Sequence, residues 1–377
     1  MHRVPASLGK RLDGRAAQDA LRELRPVGAL IDLSSNDYLG FGADESLFDE
    51  ASVLAGHPKN GSTGSRLITG NHDLYSIAEA RVAHFHEAEA ALIFNSGYDA
   101  NLGVFSSIPQ RGDIVLFDEY CHASIRDGLR LSQARAFKFA HNDLEDLERL
   151  LESCRESTVY VATETVFSMD GDSPPLVRLL ELCEKYGAFL ILDEAHALGV
   201  FGPHGAGLVQ DHQLHQRVFA RVVTYGKALG CHGASVLGPK ILKEYLVNFA
   251  RSFIYTTALP PHSVATIVLA YGKLEQATVT IEKLRANILH FSREVARLGM
   301  VPVFVGGKSA IASAIIPGNE RVRIIARRVQ DAGFDVRPIL SPTVPQGQER
   351  LRFCIHAFNT PEQITSVLEL LAKTLFS

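Results

Sequence analysis

The chain has 377 residues, long enough for two or three domains at roughly 100–200 residues each. Hydrophobic residues at 46% and charged residues at 21% read as a folded globular protein, not a disordered one. Lys and Arg (38) against Asp and Glu (42) leave a net charge of −4, so no basic excess points to nucleic acid or an anionic membrane surface.

The five cysteines, at 121, 154, 183, 231 and 354, show no CxxC spacing, which argues against a zinc site or a disulfide framework. No apolar run approaches the roughly 18 residues of a membrane span, and the N-terminal MHRVPASLGKRLDG has no apolar core of a secretory leader. The expectation is a cytoplasmic protein without a metal.

Along the chain, short continuously apolar runs alternate with amphipathic stretches. Ala91–Asn95, Asp113–Phe117, Val159–Thr163 and Ala188–Leu192 read as strands buried on both faces. Between them, Leu74–Phe85 reads as a helix with Leu74, Ile77, Ala78, Val82 and Phe85 on its apolar face. Leu176–Tyr186 is a second helix, led by Pro174-Pro175 and stopped by Gly187. This alternation predicts an α/β domain with a mostly parallel sheet. Beyond Pro260-Pro261 a long helical stretch runs to about Leu298, then strands near Pro302–Val305 and Ala310–Ile316. A helix through Val322, Ile325, Ala326 and Val329 ends at Gly333, and a strand follows at Leu351–Ile355. Thr360-Pro361-Glu362-Gln363 is a capping box that opens a last helix with Ile364, Val367, Leu368, Leu371 and Leu375 inward. The division expected is residues 1–45 as an N-terminal segment, 46–262 as a large domain and 263–377 as a smaller α+β domain.

Four features fall at the ends of expected strands. Lys227, in Thr224-Tyr225-Gly226-Lys227, follows the apolar pair Val222-Val223. Most lysines are solvated, but one buried among glycines at a strand end is a candidate Schiff-base amine. Asp193, in Leu190-Ile191-Leu192-Asp193-Glu194-Ala195-His196, sits where open α/β sheets bind ligands, although an aspartate there could equally cap a helix. The Asp-Glu-Ala-His spelling also suggests a nucleotide-driven helicase, but no G-x-x-x-x-G-K-[ST] accompanies it. Asn95-Ser96-Gly97-Tyr98-Asp99-Ala100-Asn101 reads either as a plain turn or as a phosphate cradle at a helix N-terminus. His122 follows another strand end. A planar phosphorylated pyridine aldehyde needs this set: amides and hydroxyls for phosphate, a ring to stack on, a carboxylate for the pyridine nitrogen, and a lysine for the aldehyde.

On these residues the chain resembles the α-oxoamine synthase family of fold-type I pyridoxal-phosphate transferases. The matching motifs are Ser35-Asn36-Asp37-Tyr38-Leu39-Gly40, Gly61-Ser62-Thr63-Gly64-Ser65-Arg66, Glu164 through Asp172, Asp193-Glu194-Ala195-His196 and Thr224-Tyr225-Gly226-Lys227. The resemblance runs from Leu12 to Leu375. It implies pyridoxal 5'-phosphate as cofactor, with Lys227, Asp193 and His122 catalytic. It further implies Ser96, Gly97, Tyr98, Thr224, Thr256 and Thr257 around the phosphate, the two threonines coming from a partner subunit. Ser168 and His196 would bond the ring's 3-oxygen, with Glu164 beside the cofactor. Asn36, His122, Arg352, Arg22 and Thr343 would meet substrate. For Arg22, Ser168 and His196 the bland readings are an exposed helix residue, a turn cap and a core histidine. Leu12-Asp13-Gly14-Arg15, Gly233-Ala234 and Arg337-Pro338 through Pro345 look most like the branch that condenses L-alanine with a pimeloyl thioester, on coenzyme A or a carrier protein. Tyr98 and Cys231-His232 are unusual fillers for that branch. Sister enzymes that use glycine, serine or another acyl chain are the alternative. A homodimer with shared sites is implied as well.

Overall fold

The computed structural model describes residues 4–22, 24, 28–56 and 59–376. By its contacts the chain forms two units. One is Asn36–Ser168 with Asp172–Leu284; the other joins Met1–Ser35, Met169–Gly171 and Arg285–Ser377. The sequence reading placed boundaries at 45/46 and 262/263, whereas the contacts part at 35/36 and 284/285. Two pairings account for the difference. Ile31–Asp32 pairs in parallel with Phe334–Asp335, and the helix Pro261–Gln276 packs on the helices Glu45–Leu54 and Asp73–Phe85.

The larger unit is built on a seven-stranded sheet in the order Ala90–Phe94, Ala234–Gly238, Ala220–Thr224, Phe189–Asp193, Val159–Glu164, Ile114–Asp118, Arg135–Phe139. All pairings are parallel except the two made by Ala234–Gly238, so the strand beyond it, Ala90–Phe94, again runs in the common direction. Side chains alternate faces along each strand. Val115, Ala162, Ile191 and Val222 join a core with the helices Gly97–Ser107 and Ala123–Leu131. Ile114, Leu116, Val161, Leu190 and Leu192 pack on the other face with Leu176–Lys185. Burial on both faces is why these strands read as uninterrupted apolar runs.

Two helical expectations shift in detail. The long helical stretch is two helices, Pro261–Gln276 and Thr278–Arg297, parted at Ala277. The helix Asp73–Phe85 is rotated from the expected face: Tyr75, Ala78, Glu79 and Val82 are buried while Ile77 is exposed. The buried Glu79 is compensated by ion pairs to Arg66 and Lys243 and by the amide of Ile93, which is the condition for a charge to sit in a core.

The smaller unit holds an antiparallel sheet in the order Arg337–Ile339, Arg350–Cys354, Ile311–Ile315, Phe304–Gly306. The capping box forms as read: Thr360 Oγ1 accepts from the Gln363 amide at 3.2 Å, and Gln363 Oε1 accepts from the Thr360 amide at 3.0 Å.

Candidate active site

The common strand direction places the carboxyl ends of five strands on one edge of the sheet, and each is followed by a residue singled out above. Phe94 leads to Gly97, Asp118 to His122, Glu164 to Ser168, Asp193 to His196, and Thr224 to Lys227. Open α/β sheets bind ligands at this edge. Glu164 is registered directly opposite Asp193, and Asp193 opposite Val222. Paired residues stand about 4.8 Å apart and point to the same face. Alternation from Ala162, Ile191 and Val222 therefore directs Glu164, Asp193 and Thr224 toward the face carrying the helix Gly97–Ser107.

Asp193 is 6% exposed. Its Oδ1 accepts from the Ala195 amide at 2.9 Å and its Oδ2 from Asn101 Nδ2 at 2.7 Å. It caps a turn, not a helix. Asn101 Nδ2 also donates to Ser124 Oγ at 3.0 Å, and Ser124 Oγ lies 2.7 Å from His122 Nδ1. The His122 side chain caps the helix Ala123–Leu131, its Nδ1 accepting from the Ser124 amide at 3.2 Å. Its own amide donates to Glu164 Oε1 at 2.7 Å. Burial holds the His122 imidazole below its usual range; Asp193 pulls the other way, and Lys227 and Arg126 add to the depression. Burial also pushes the Glu164 carboxyl up to about 8, helped by the Asp193 charge and opposed by Lys227. Lys227 thus acts electrostatically on both groups. It is half-buried rather than buried as the sequence suggested, on a turn where Gly230 has φ +59 and a Cβ would strike the backbone of Gly42. Only glycine accepts that position without strain.

Ser96 caps the helix Gly97–Ser107, exchanging hydrogen bonds with Asp99. A Cβ on Gly97 would stand 3.5 Å from Thr224, so this helix start and the end of the strand that precedes the lysine face each other closely. Tyr98 is exposed, and its hydroxyl donates to Asp127 at 2.5 Å. Asn95 Nδ2 donates to Thr256 Oγ1 at 3.0 Å and to the Thr257 carbonyl at 2.7 Å within the same chain. His196 is buried, with Nδ1 2.7 Å from the Tyr38 hydroxyl, which donates to Asn36 Oδ1 at 3.2 Å. Ser168 lies on the turn after the Val159–Glu164 strand.

These residues belong to one unit. Arg22, Thr343 and Arg352 belong to the other, where Arg22 donates to Thr343 Oγ1 at 3.2 Å and Arg352 is buried on the Arg350–Cys354 strand.

Sequence reasoning missed Asn101, Ser124 and His141. The first two join His122 to Asp193. His141 Nδ1 sits 2.9 Å from Asp118 Oδ1 and Nε2 2.8 Å from Asp172 Oδ2, stacked on Tyr120. Burial alone would lower its pKa, but the bonds to Asp118 and Asp172 overcome it and raise it to about 10. A charged His141 therefore clamps the loop carrying His122 to the loop that follows Ser168.

The donor set fits a phosphorylated pyridine aldehyde. A buried carboxylate that only accepts is available for a ring nitrogen, a helix start faces a threonine, and a lysine stands within electrostatic reach of His122. The aminotransferase class I and II family model matches residues 29–371. The chain is 41% identical over 380 aligned positions to 8-amino-7-oxononanoate synthase of Emericella nidulans, covering 92% of this chain and 89% of that protein. Among solved structures, serine palmitoyltransferase from S. paucimobilis with PLP and myriocin bound superposes with a TM-score of 0.89 at 28% identity over 98% of this chain and 96% of that one. The 8-amino-7-oxononanoate synthase of Francisella tularensis gives 0.78 at 29% over 92% and 98%. The chain belongs to the aminotransferase class I and II family. Its cofactor is pyridoxal 5'-phosphate, and it is an acyltransferase of the α-oxoamine synthase type.

Proposed function

We propose that the enzyme condenses L-alanine with a pimeloyl thioester to give 8-amino-7-oxononanoate, carbon dioxide and free thiol, a step of biotin biosynthesis. The observation that carries this reading is the 41% identity to the Emericella nidulans synthase over nearly the whole chain, together with the sheet-edge cluster of Lys227, Asp193, His122 and Glu164. When bound, the cofactor supplies an electron sink for charge developing at the amino acid's α-carbon. Lys227 takes the α-proton. Asp193 would hold the ring nitrogen as its anionic partner, and His122 would stack on the ring. Ser168 and His196 hold the 3-oxygen, with Tyr38 fixing the His196 ring. Ser96, Gly97, Tyr98 and Thr224 hold the phosphate with Thr256 and Thr257 of a second copy, which makes a homodimer part of the reading. Arg352 suits the amino-acid carboxylate through its planar fork, and Asn36, Arg22 and Thr343 contact substrate. In the overall reaction one carbon–carbon bond forms as the carbon–sulfur bond breaks. The carboxylate then leaves as carbon dioxide, and a proton returns to the same carbon.

A sister reading, serine with a long acyl thioester, is favoured by one observation, the higher TM-score to serine palmitoyltransferase. The test is a panel of alanine, glycine and serine against pimeloyl and palmitoyl thioesters, on coenzyme A and on a carrier protein, with products identified by mass. Alanine with pimeloyl should have the highest kcat/KM. A methyl pocket discriminates only about 10- to 200-fold against glycine. Preference for serine with palmitoyl would overturn the alanine reading and leave the family intact.

A further inference from the structure

The bonds among His122, Ser124, Asn101 and Asp193 have a direction. A backbone amide can only donate, so the Ser124 N–H on His122 Nδ1, at 3.2 Å, makes that nitrogen an acceptor and places the imidazole proton on Nε2. The Ser124 hydroxyl, 2.7 Å from the same nitrogen, then has one role left there, donating its proton to it. Its oxygen accepts from Asn101 Nδ2 at 3.0 Å. The second Nδ2 hydrogen goes to Asp193 Oδ2 at 2.7 Å. Flipping the Asn101 amide would turn its carbonyl onto the carboxylate, so the orientation is fixed by charge as well as by count. Asn101 and Ser124 are 1% and 0% exposed, so no water competes for these donors.

We propose that Asn101 is a positioning residue whose single amide group keeps Asp193 an anionic acceptor and, through Ser124, keeps His122 neutral with its proton on Nε2. The proposal rests on reading this cluster as the cofactor site, yet its test reads ionisation and binding, not turnover. The charged groups facing His122 are Asp193, Lys227, Arg126 and Asp127, and the titratable Glu164 carboxyl accepts from its backbone amide. Asp193 and Asp127 favour the imidazolium. Without the serine hydroxyl on Nδ1, the neutral form loses a donor and the charged form gains relative to it.

The experiment is a histidine 15N titration of the full-length chain, with His122 assigned through H122Q, in the wild type, S124A, N101A and the double variant. PLP dissociation constants are measured in parallel. In the wild type His122 should titrate below the usual imidazole range as the Nε2–H tautomer. S124A and N101A should each raise its pKa by about one unit, and the double variant no further than either, because both break one chain. N101A alone should also weaken PLP by about tenfold or more, since it removes a hydrogen bond to a charged acceptor. S124A, which spares the Asn101–Asp193 bond, should leave PLP affinity within about twofold. A His122 titration unchanged in S124A overturns the proposal even if N101A fails to fold. Equal losses of PLP affinity in the two variants overturn the assignment to Asn101.

Discussion

Replacing Asp193 by asparagine tests two consequences of one geometry. Each carboxylate oxygen receives a single N–H, from Ala195 at 2.9 Å and from Asn101 at 2.7 Å. An amide has one acceptor and one donor end, so in either orientation its NH2 meets one of these donors head-on. Either one buried donor is left unsatisfied or Asn101 flips and gives up Ser124, which costs about 1–3 kcal/mol of folding stability. The second consequence is chemical. The anionic partner proposed for the ring nitrogen is lost from a site only 6% exposed. Removing one preorganised electrostatic partner of this kind costs about 3–4 kcal/mol, or roughly 10²–10³-fold in rate. The assay is kcat/KM for the amino acid at saturating thioester and PLP, beside urea unfolding of the same preparation. D193N should lose at least about 100-fold in kcat/KM and shift its unfolding midpoint downward. A variant within tenfold of wild type, with unchanged stability, would show that another group serves the ring nitrogen and that the Asn101 and Ala195 bonds do not constrain the carboxylate.

Two further outcomes follow from paired charges elsewhere in the same unit. His141 has a folded-state pKa of about 10 against a reference of 6.5, so its stabilisation is complete below about pH 6.5 and fades as pH rises toward 10. H141Q should therefore melt lower than wild type at pH 6.5, with the two melting temperatures converging by pH 10, as followed by differential scanning fluorimetry. Arg221 is 2% exposed and bonds Glu194, Gln210 and the His86 carbonyl. R221A leaves the Glu194 carboxylate buried without its ion-pair partner and should cost about 3–5 kcal/mol in urea unfolding; a loss below about 1 kcal/mol would show that Glu194 is protonated or solvated there.

The parts of the fold legible in the sequence were those whose burial imposes a pattern. Strands such as Phe189–Asp193, covered on both faces, spell continuous apolar runs, and the strand-end residues Asp193, His122 and Lys227 follow from them. The edge strand Arg135–Phe139 gave no such signal, because four of its five residues are exposed and it carries Arg135 and Lys138. The break at Ala277 has no proline or glycine to mark it. The face of the helix Asp73–Phe85 was read rotated, with Ala78 and Val82 inward as expected but Glu79 missed, because Glu79 belongs to the core only through Arg66 and Lys243. Asn101 had a local signal that went unused. It shares a helical face with Ala100, Val104 and Phe105, all buried, and a polar residue on such a face must have found a partner. His141 had none, since its meaning depends on Asp118 at the end of a strand and Asp172 on another loop.

The central claim is that Lys227 is the amine that holds the cofactor's aldehyde at the edge of the sheet. The direct measurement is borohydride reduction of the PLP-loaded protein, followed by proteolysis and mass mapping of the pyridoxyl group. The account predicts a single modified peptide with the added mass on Lys227, and no incorporation in K227A. Label on any other lysine, or undiminished incorporation in K227A, would contradict it.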